Sequence, residues 1–474
     1  MRNVILVIML ALLAGSCTVG PDYKRPAVDV PTGWRLSEKE AKDLAQTAWW
    51  AQFNDPILNN LITTALRENK DLMIAAARIE EYAGRYGIVR SGLFPQVGAA
   101  GQYTREQVTK TGDNRPTPGY RTDTETYSAT LNASWEIDLW GRIRRSNESA
   151  QAQLLATEEA RRGVILSLVS SVASAYINLR DLDRQLEIST QTAQSRGASY
   201  NLFQERFKGG VISDLELSQN RSQYEEALAS IPGLEKAVTQ QENGLSVLLG
   251  RNPGPVLRGK TIDTLSLPAI VAGMPSDLLQ RRPDIRQAEQ TLIAANAQIG
   301  VAKAAYFPTI SLTGAYGSAS GDLSNLFKGP SKVWQYSAPI TMPIFTAGKI
   351  AGSVREAEAV QQQALISYQQ TIQNAFREVD DALTDRAQTA KQLAAQKNQV
   401  DSLRQYAGIA RMRYDNGYTD FLTVLDAERS LFNAEQSYTQ TQGALYLALI
   451  NLYKAMGGGW IEAAEQVAQP KVKP

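Results

Sequence analysis

Residues 126–140, "TYSATLNASWEIDLW", alternate without a break: Tyr127, Ala129, Leu131, Ala133, Trp135, Ile137 and Leu139 are apolar and the residues between them mostly polar. A period of two predicts a strand with one greasy and one wet face. Val97 to Tyr103 leads into it through the Gly/Pro/Thr-rich stretch 109–122, so the two read as a pair. A second pair runs from Thr309 to Tyr316 and, after a polar loop, from Val333 to Phe345, where Trp334, Tyr336, Ala338, Ile340, Met342 and Ile344 take alternate places. Pro339 and Pro343 suit an edge, a bend or a barrel rim. Strands of about ten residues joined by polar loops are the signature of a membrane β-barrel, although a soluble sandwich with its greasy face inside has the same alternation.

The pattern elsewhere is helical. Arg144 to Phe207 and Ile350 to Tyr414 contain no proline, and each would reach roughly 95 Å if unbroken. Val164, Leu168, Val172, Ala175, Leu179, Leu182 and Leu186 step by three or four along the first. Leu393, Val400, Leu403, Ala407 and Ala410 do so along the second, a coiled-coil type of seam. Gly209 and Gly210 stop the first helix, and Ser213 with Glu216 forms the capping box of the next. Asn416 and Gly417 stop the second, and Thr419 or Asp420 caps its successor. Each long helix therefore folds back as an antiparallel hairpin with a narrow tip.

The chain also repeats itself. "NKDLMIAAARIEEYAGRYGIVRSGLFP" (69–95) lies over "RPDIRQAEQTLIAANAQIGVAKAAYFP" (282–308) at an offset of 213, and "RFKGGVISDLELSQ" (206–219) over "RYDNGYTDFLTVLD" (413–426) at 207. The expected organisation is a signal peptide (1–16), an extended lipid-anchored segment (17–55), a first repeat (56–265) and a second repeat (266–474), each with a helix, two strands and a long helical hairpin.

Composition narrows the function. Among 474 residues, 49 basic and 48 acidic side chains nearly cancel, which leaves no electrostatic footprint for nucleic acid. There is no histidine and one cysteine, so a His-based triad, a His/Cys zinc site and a disulfide are excluded. The nearest approach to a phosphate loop, "TAGK" (346–349), lacks the earlier glycine and the following Ser or Thr. No enzymatic chemistry, cofactor or metal site is expected.

The N-terminus accounts for the cysteine. Arg2, the apolar run Val4 to Leu13 and "AGSC" form an export signal; a cut just before Cys17 would expose its thiol for a covalent lipid, the alternative being ordinary cleavage with Cys17 incidental. Outside the leader, no stretch approaches the roughly 18 apolar residues of a membrane helix. The strands must then meet the lipid. Four cannot close a membrane barrel, whose minimum is about eight, and an open sheet in lipid leaves edge amides unpaired. Copies must combine: two give a bare eight strands, and three give 12 together with six helical hairpins in a near-sixfold ring.

These residues resemble the outer membrane factors, the TolC- and OprM-like exit ducts of tripartite efflux systems, in their lipoprotein (NodT-type) branch. The resemblance is carried by "CTVGPDYKRP" (17–26), "WWAQFNDPILNNLI" (49–62), "SWEIDLWGRIRR" (134–145), "MPSDLLQRRPDIRQAEQTL" (274–292) and "NGYTDFLTVLDAERSLFNAEQSY" (416–438). It implies a mostly α fold with a small membrane β part. The family's homotrimer has a 12-stranded β-barrel, four strands per chain, that continues into a long α-helical periplasmic barrel. It also implies an outer-membrane channel that passively conducts substrates from a periplasmic adaptor and an inner-membrane pump. The family's gate, an "L-x-x-x-D" in the last tip helix, falls on Leu422 and Asp426. Thr423 stands where some members carry a further Asp, so one acidic ring is implied. The family's tethering tyrosine and arginine resemble Tyr414 and Arg411 or Arg413, with Asp214 and Asp420 as candidate partners. Arg206, Lys208, Gly209, Gly210, Asn416 and Gly417 form the tips that would meet the adaptor. Against this duct stands one alternative, a lipid-anchored periplasmic helical scaffold without a pore.

Overall fold

The computed structural model describes residues 18–31, 33–34, 48–109, 122–268, 275–457 and 461–468. The expected signal peptide, Cys17 and most of the loop 109–122 lie outside them. The order of elements is α1 (Pro56–Glu68), α2 (Lys70–Ser91), β1 (Gln96–Gln107), β2 (Asp123–Ile137), α3 (Arg142–Lys208) and α4 (Asp214–Leu248), then α5 (Pro275–Arg281), α6 (Pro283–Ala304), β3 (Thr309–Ser320), β4 (Lys332–Ser337), β5 (Ile340–Thr341), α7 (Lys349–Asp415), α8 (Phe421–Ala455) and α9 (Ile461–Ala468). Repeat mates have equal lengths: 22 residues in α2 and α6, 12 in β1 and β3, 67 in α3 and α7, 35 in α4 and α8. Two compact units result. One comprises residues up to 27, 78–157 and 287–368; the other comprises 28–77, 158–286 and 369–474.

The first unit holds an antiparallel sheet in the order β1-β2-β3-β4, with β5 also on β3. β4 and β5 are one strand in one register: Thr313 pairs with Ser337 and Ile310 with Ile340. Between them Pro339 lacks a donor but still accepts from the Ser311 N–H at 3.1 Å. The fourth strand is thus shorter than its alternation predicts, and Pro343 lies beyond its end.

The cross-strand rows sort the side chains. Ala99, Leu131, Tyr316 and Trp334 form one apolar row, and Val97, Ala133, Gly314 and Tyr336 the next but one. Val97, Trp334 and Tyr336 are 72%, 69% and 78% exposed, so the greasy face is not packed inward and the sandwich alternative fails. The opposite face carries rows such as Gln96, Ser134, Thr313 and Ser337, with a 2.7 Å hydroxyl–hydroxyl bond between Thr313 and Ser337.

β2 ends at Ile137, three residues before the alternation does, because Asp138 serves the helix that follows. Its carboxylate accepts from the N–H groups of Ile143 (3.0 Å) and Arg144 (2.8 Å), two of the orphan donors at the start of α3. Glu136 pairs with Arg142 at 2.7 Å, and Trp140 donates to the Pro308 carbonyl at 2.8 Å while stacking on Phe307. An extended strap follows position 17. The Val19 N–H donates to the Trp140 carbonyl, Asp22 pairs with Arg145 at 2.6 Å, Asn296 donates to the Pro21 carbonyl, and Tyr23 and Arg25 both reach Glu289.

The second unit is built around Trp49, Phe53, Leu58, Ile62, Ile165, Val169, Val172, Tyr176, Leu245 and Tyr446. Trp49 stacks on Tyr453 at 5.0 Å. Asp55 is fully buried at the N-cap of α1. Its carboxylate accepts from Ile57 N–H (2.8 Å), the Tyr176 hydroxyl (2.7 Å) and Lys260 N–H (3.0 Å). The buried stripe of α3 is wider than its predicted seam: Ile165, Val169, Ala173, Tyr176 and Ile177 are buried beside Leu168 and Val172. It also corrects the reading that no stretch outside the leader is apolar enough to cross a membrane. α3 contains one that passes by length and composition, and 56% of it is buried inside the protein, as a core helix requires.

Candidate functional site: the paired helical tips

The two tips belong to the second unit and share one geometry. At the first, Gly210 takes φ 71°, the Val211 N–H donates to the Arg206 carbonyl and the Gly210 N–H to the Phe207 carbonyl. At the second, Gly417 takes φ 74°, with Tyr418 bonded to Arg413 and Gly417 to Tyr414. Both are Schellman-type ends, in which a left-handed glycine turns the chain and the last carbonyls gain donors. Asn416 adds a side-chain bond to the Met412 carbonyl at 2.7 Å. The Ser213–Glu216 capping box is formed in both directions, with Ser213 N–H to Glu216 at 2.8 Å and Glu216 N–H to Ser213 at 3.3 Å. Asp420, rather than Thr419, caps α8. Its carboxylate accepts from Thr423 N–H at 3.0 Å and the Thr423 hydroxyl at 2.6 Å, which holds it below the usual carboxylate range.

An aromatic cluster fastens one tip to the other. Phe203 meets Phe421 at 4.2 Å between ring centroids, Tyr414 meets Phe421 at 5.0 Å, and Ala407, Ala410, Val424 and Leu425 pack around them. Arg206 donates to the Tyr414 hydroxyl at 3.5 Å, a long bond, with its guanidinium 5.6 Å from the Phe203 ring. Tyr414 therefore turns to Arg206 of the first tip and to aromatic rings. Arg411 faces Asp415 (3.6 Å) and Glu428 (3.9 Å). Burial pushes the Glu428 carboxyl up, against the pull of Arg411 and Arg196. Arg413 is exposed, Asp214 is exposed at the start of α4, and Lys208 pairs with Glu205 at 2.8 Å. Within one chain the tether residues do not join each other, and Asp420 is engaged in capping.

Leu422 and Asp426 lie one turn apart on the same side of α8. Leu422 is 58% exposed. With Leu425 and Arg429 they face Gln219, Ser222 and Gln223 of α4 across a groove of about 180 Å³. Asp426 accepts from Arg429 at 2.9 Å, both side chains being half exposed. The gate motif names Asp426 without this partner, for which the i, i+3 spacing in "DAER" carries the signal. Three copies of this face would bring together three Asp426–Arg429 pairs, which repel one another less than three bare carboxylates would.

The sequence model of the outer membrane efflux protein family matches residues 61–251 and 274–458, once in each repeat. The chain belongs to this family. It is 38% identical to the toluene efflux pump outer membrane protein TtgC of Pseudomonas putida, over 99% of this chain and 98% of that one. It is also 38% identical to the cation efflux system protein CusC of Escherichia coli, over 95% and 97%. The crystal structure of the Campylobacter jejuni CmeC outer membrane channel superposes with a TM-score of 0.89 at 27% identity, covering 96% of this chain and 98% of that one. The fold, the outer-membrane location and the role as an efflux channel expected from the sequence are those of this family. Its relatives are channels and transport ducts, and two of equal identity carry the names of an organic solvent and of cations, so likeness along the duct does not select the cargo.

Proposed function

We propose that three copies of this chain close a 12-stranded outer-membrane barrel. The product is a passive exit duct that receives cargo from a periplasmic adaptor and an inner-membrane pump and performs no chemistry of its own. The observation that carries this reading is the sheet of the first unit. Its apolar face is exposed, its opposite face is polar, and among the described residues the outer edges of β1 and of β4–β5 pair with no other strand. A lipid-anchored scaffold without a pore has no use for such a sheet in water. A covalent lipid on Cys17 would anchor the chain beside its strands, a reading supported by the strap that holds residues 19–25 against Trp140, Arg145 and Glu289.

The gate is assigned to Leu422 and Asp426, and the adaptor contact to the tips, where Val211 and Tyr418 are 75% and 74% exposed beside Arg206, Lys208 and Arg413. Tyr414, through Arg206 and the aromatic cluster, would keep the two tips of one chain together while the gate is closed. The test is single-channel conductance in planar bilayers. Leu422→Ala with Asp426→Ala should raise the conductance of the closed duct several-fold; an unchanged value would remove these residues from the gate.

A further inference from the structure

The exposed apolar face of the sheet is not uniform: a row of small side chains lies between two rows of large ones. Tyr103 and Tyr127 pair across β1 and β2, with 4.8 Å between ring centroids, and form one wall. Leu131, Tyr316 and Trp334 form the other. Between them run Gly101, Ala129, Ser318 and Lys332, one residue from each of β1 to β4. The walls stand four residues apart along the strands, about 13 Å between Cα atoms, and the row crosses three strand spacings, about 14 Å in all. The result is a slot one row wide, with small residues for a floor and a cation at one end.

We infer that this slot holds one acyl chain of a phosphate-bearing anionic lipid of the outer leaflet, with the lipid's phosphate on Lys332. The inference rests on the reading that the apolar face meets lipid, and deepens it by naming which lipid and where.

Three observations support it. The first is placement. β1 and β3 run away from α2 and α6, so Lys332 at the start of β4 lies at the end of the sheet opposite the helices. The helices reach into the periplasm, and that end therefore meets the outer leaflet. Barrel strands tilt by about 40°, so a row across them runs obliquely through the apolar band, as a chain anchored at the rim would. The second is charge. Lys332 stands on the lipid-facing side of its strand, where a cation is unfavourable unless it lies near the membrane surface and meets an anion. Among the described residues its ammonium has no acidic partner. The other cation of this face, Arg105, takes Asp123 at 2.7 Å and Glu125 at 3.7 Å. Ser318 stands opposite Lys332, and Lys328 in the preceding loop bonds to the neutral Asn325 amide at 2.6 Å, so this positive charge is left uncompensated. The third is Gly101. Glycine inside a strand weakens it, and nothing in the chain demands one here: a Cβ would stand 3.9 Å from the nearest atom beyond its chain neighbours, the Ser128 carbonyl oxygen. The room it leaves is open to something outside the chain.

Native mass spectrometry of the full-length complex, released from detergent, tests the assignment with two probes, bis-phosphorylated lipid A and zwitterionic phosphatidylethanolamine. Lipid A should bind as discrete adducts, up to one per chain, and more tightly than phosphatidylethanolamine. Lys332→Gln should weaken lipid A binding about fivefold, the value of one cation beside an anionic surface, and leave phosphatidylethanolamine unchanged. Gly101→Leu, which fills the floor of the slot, should weaken both; Ala129→Leu does the same should the first variant fail to assemble. Competition by excess inorganic phosphate would make this a site for the free ion and overturn the lipid. Equal lipid A binding by the wild type, Lys332→Gln and the filled variant, each assembled and dependent on detergent, would overturn the slot and leave the membrane reading standing. A chain that stays in solution without detergent would remove that reading, and the slot with it.

Discussion

Asp181 lies on α3 against Gly443 of α8, whose missing side chain leaves room for the carboxyl: a Cβ at that position would stand 3.2 Å from the Asp181 Cβ and Cγ. One carboxyl oxygen is buried without a hydrogen-bond partner. Burial pushes the carboxyl up from 3.8 to about 6, against a smaller opposing pull from Gln185. A carboxyl held higher in the folded than in the unfolded chain binds more protons when folded. Its contribution is therefore complete below pH 4 and lost as pH rises through 6. At 1.36 kcal/mol per pH unit the loss is about 3 kcal/mol per chain as an upper bound. With an unfolding entropy near 2 cal/mol/K per residue, a chain of this size would lose ~3 °C of melting temperature. Asp181→Asn keeps the shape and removes the charge, so its melting temperature in detergent should exceed the wild type's by that amount at pH 7.5 and match it at pH 4. The other acid-sensitive groups affect both proteins alike and cancel in the comparison. Parallel curves for the two proteins across this range would mean that the carboxyl is solvated, and the argument would fail.

Three further outcomes are expected. Asp55→Ala, which leaves Tyr176 and two backbone donors without their buried acceptor, should cost about 3 kcal/mol or more in denaturant unfolding. Gly317→Ala puts a Cβ 2.1 Å from the Ala129 carbonyl oxygen across the β2–β3 pair, and should lower the temperature at which the oligomer dissociates on a semi-native gel. Cys17→Ser should abolish incorporation of labelled palmitate in growing cells while the strands still hold the protein in the membrane fraction.

Much of the fold is legible in the sequence because it is local. The alternation from Tyr127 to Ile137, the long helices without proline and the Ser213–Glu216 box are set by residues within a few positions of one another. The misses occur where a distant or competing partner decides. Leu139 and Trp140 continue the alternation but not the strand, since Asp138 caps α3 and Trp140 bonds to Pro308 in the other repeat. Arg145 and Glu289 hold a strap more than a hundred residues away in sequence, which periodicity does not register. At the tips, the positions of Leu422 and Asp426 follow from a motif, whereas the aromatic contact of Phe203 with Tyr414 and Phe421 spans both repeats and has no sequence spacing of its own.

The central claim is that the exposed apolar sheet exists to build an outer-membrane duct from several chains. The most direct measurement is the native mass of the detergent-purified complex. Three chains per complex are predicted, the number that turns four strands into a barrel of 12. A single chain that stays in solution once detergent is removed would contradict the account, because its greasy face would then have found cover without either lipid or a second copy.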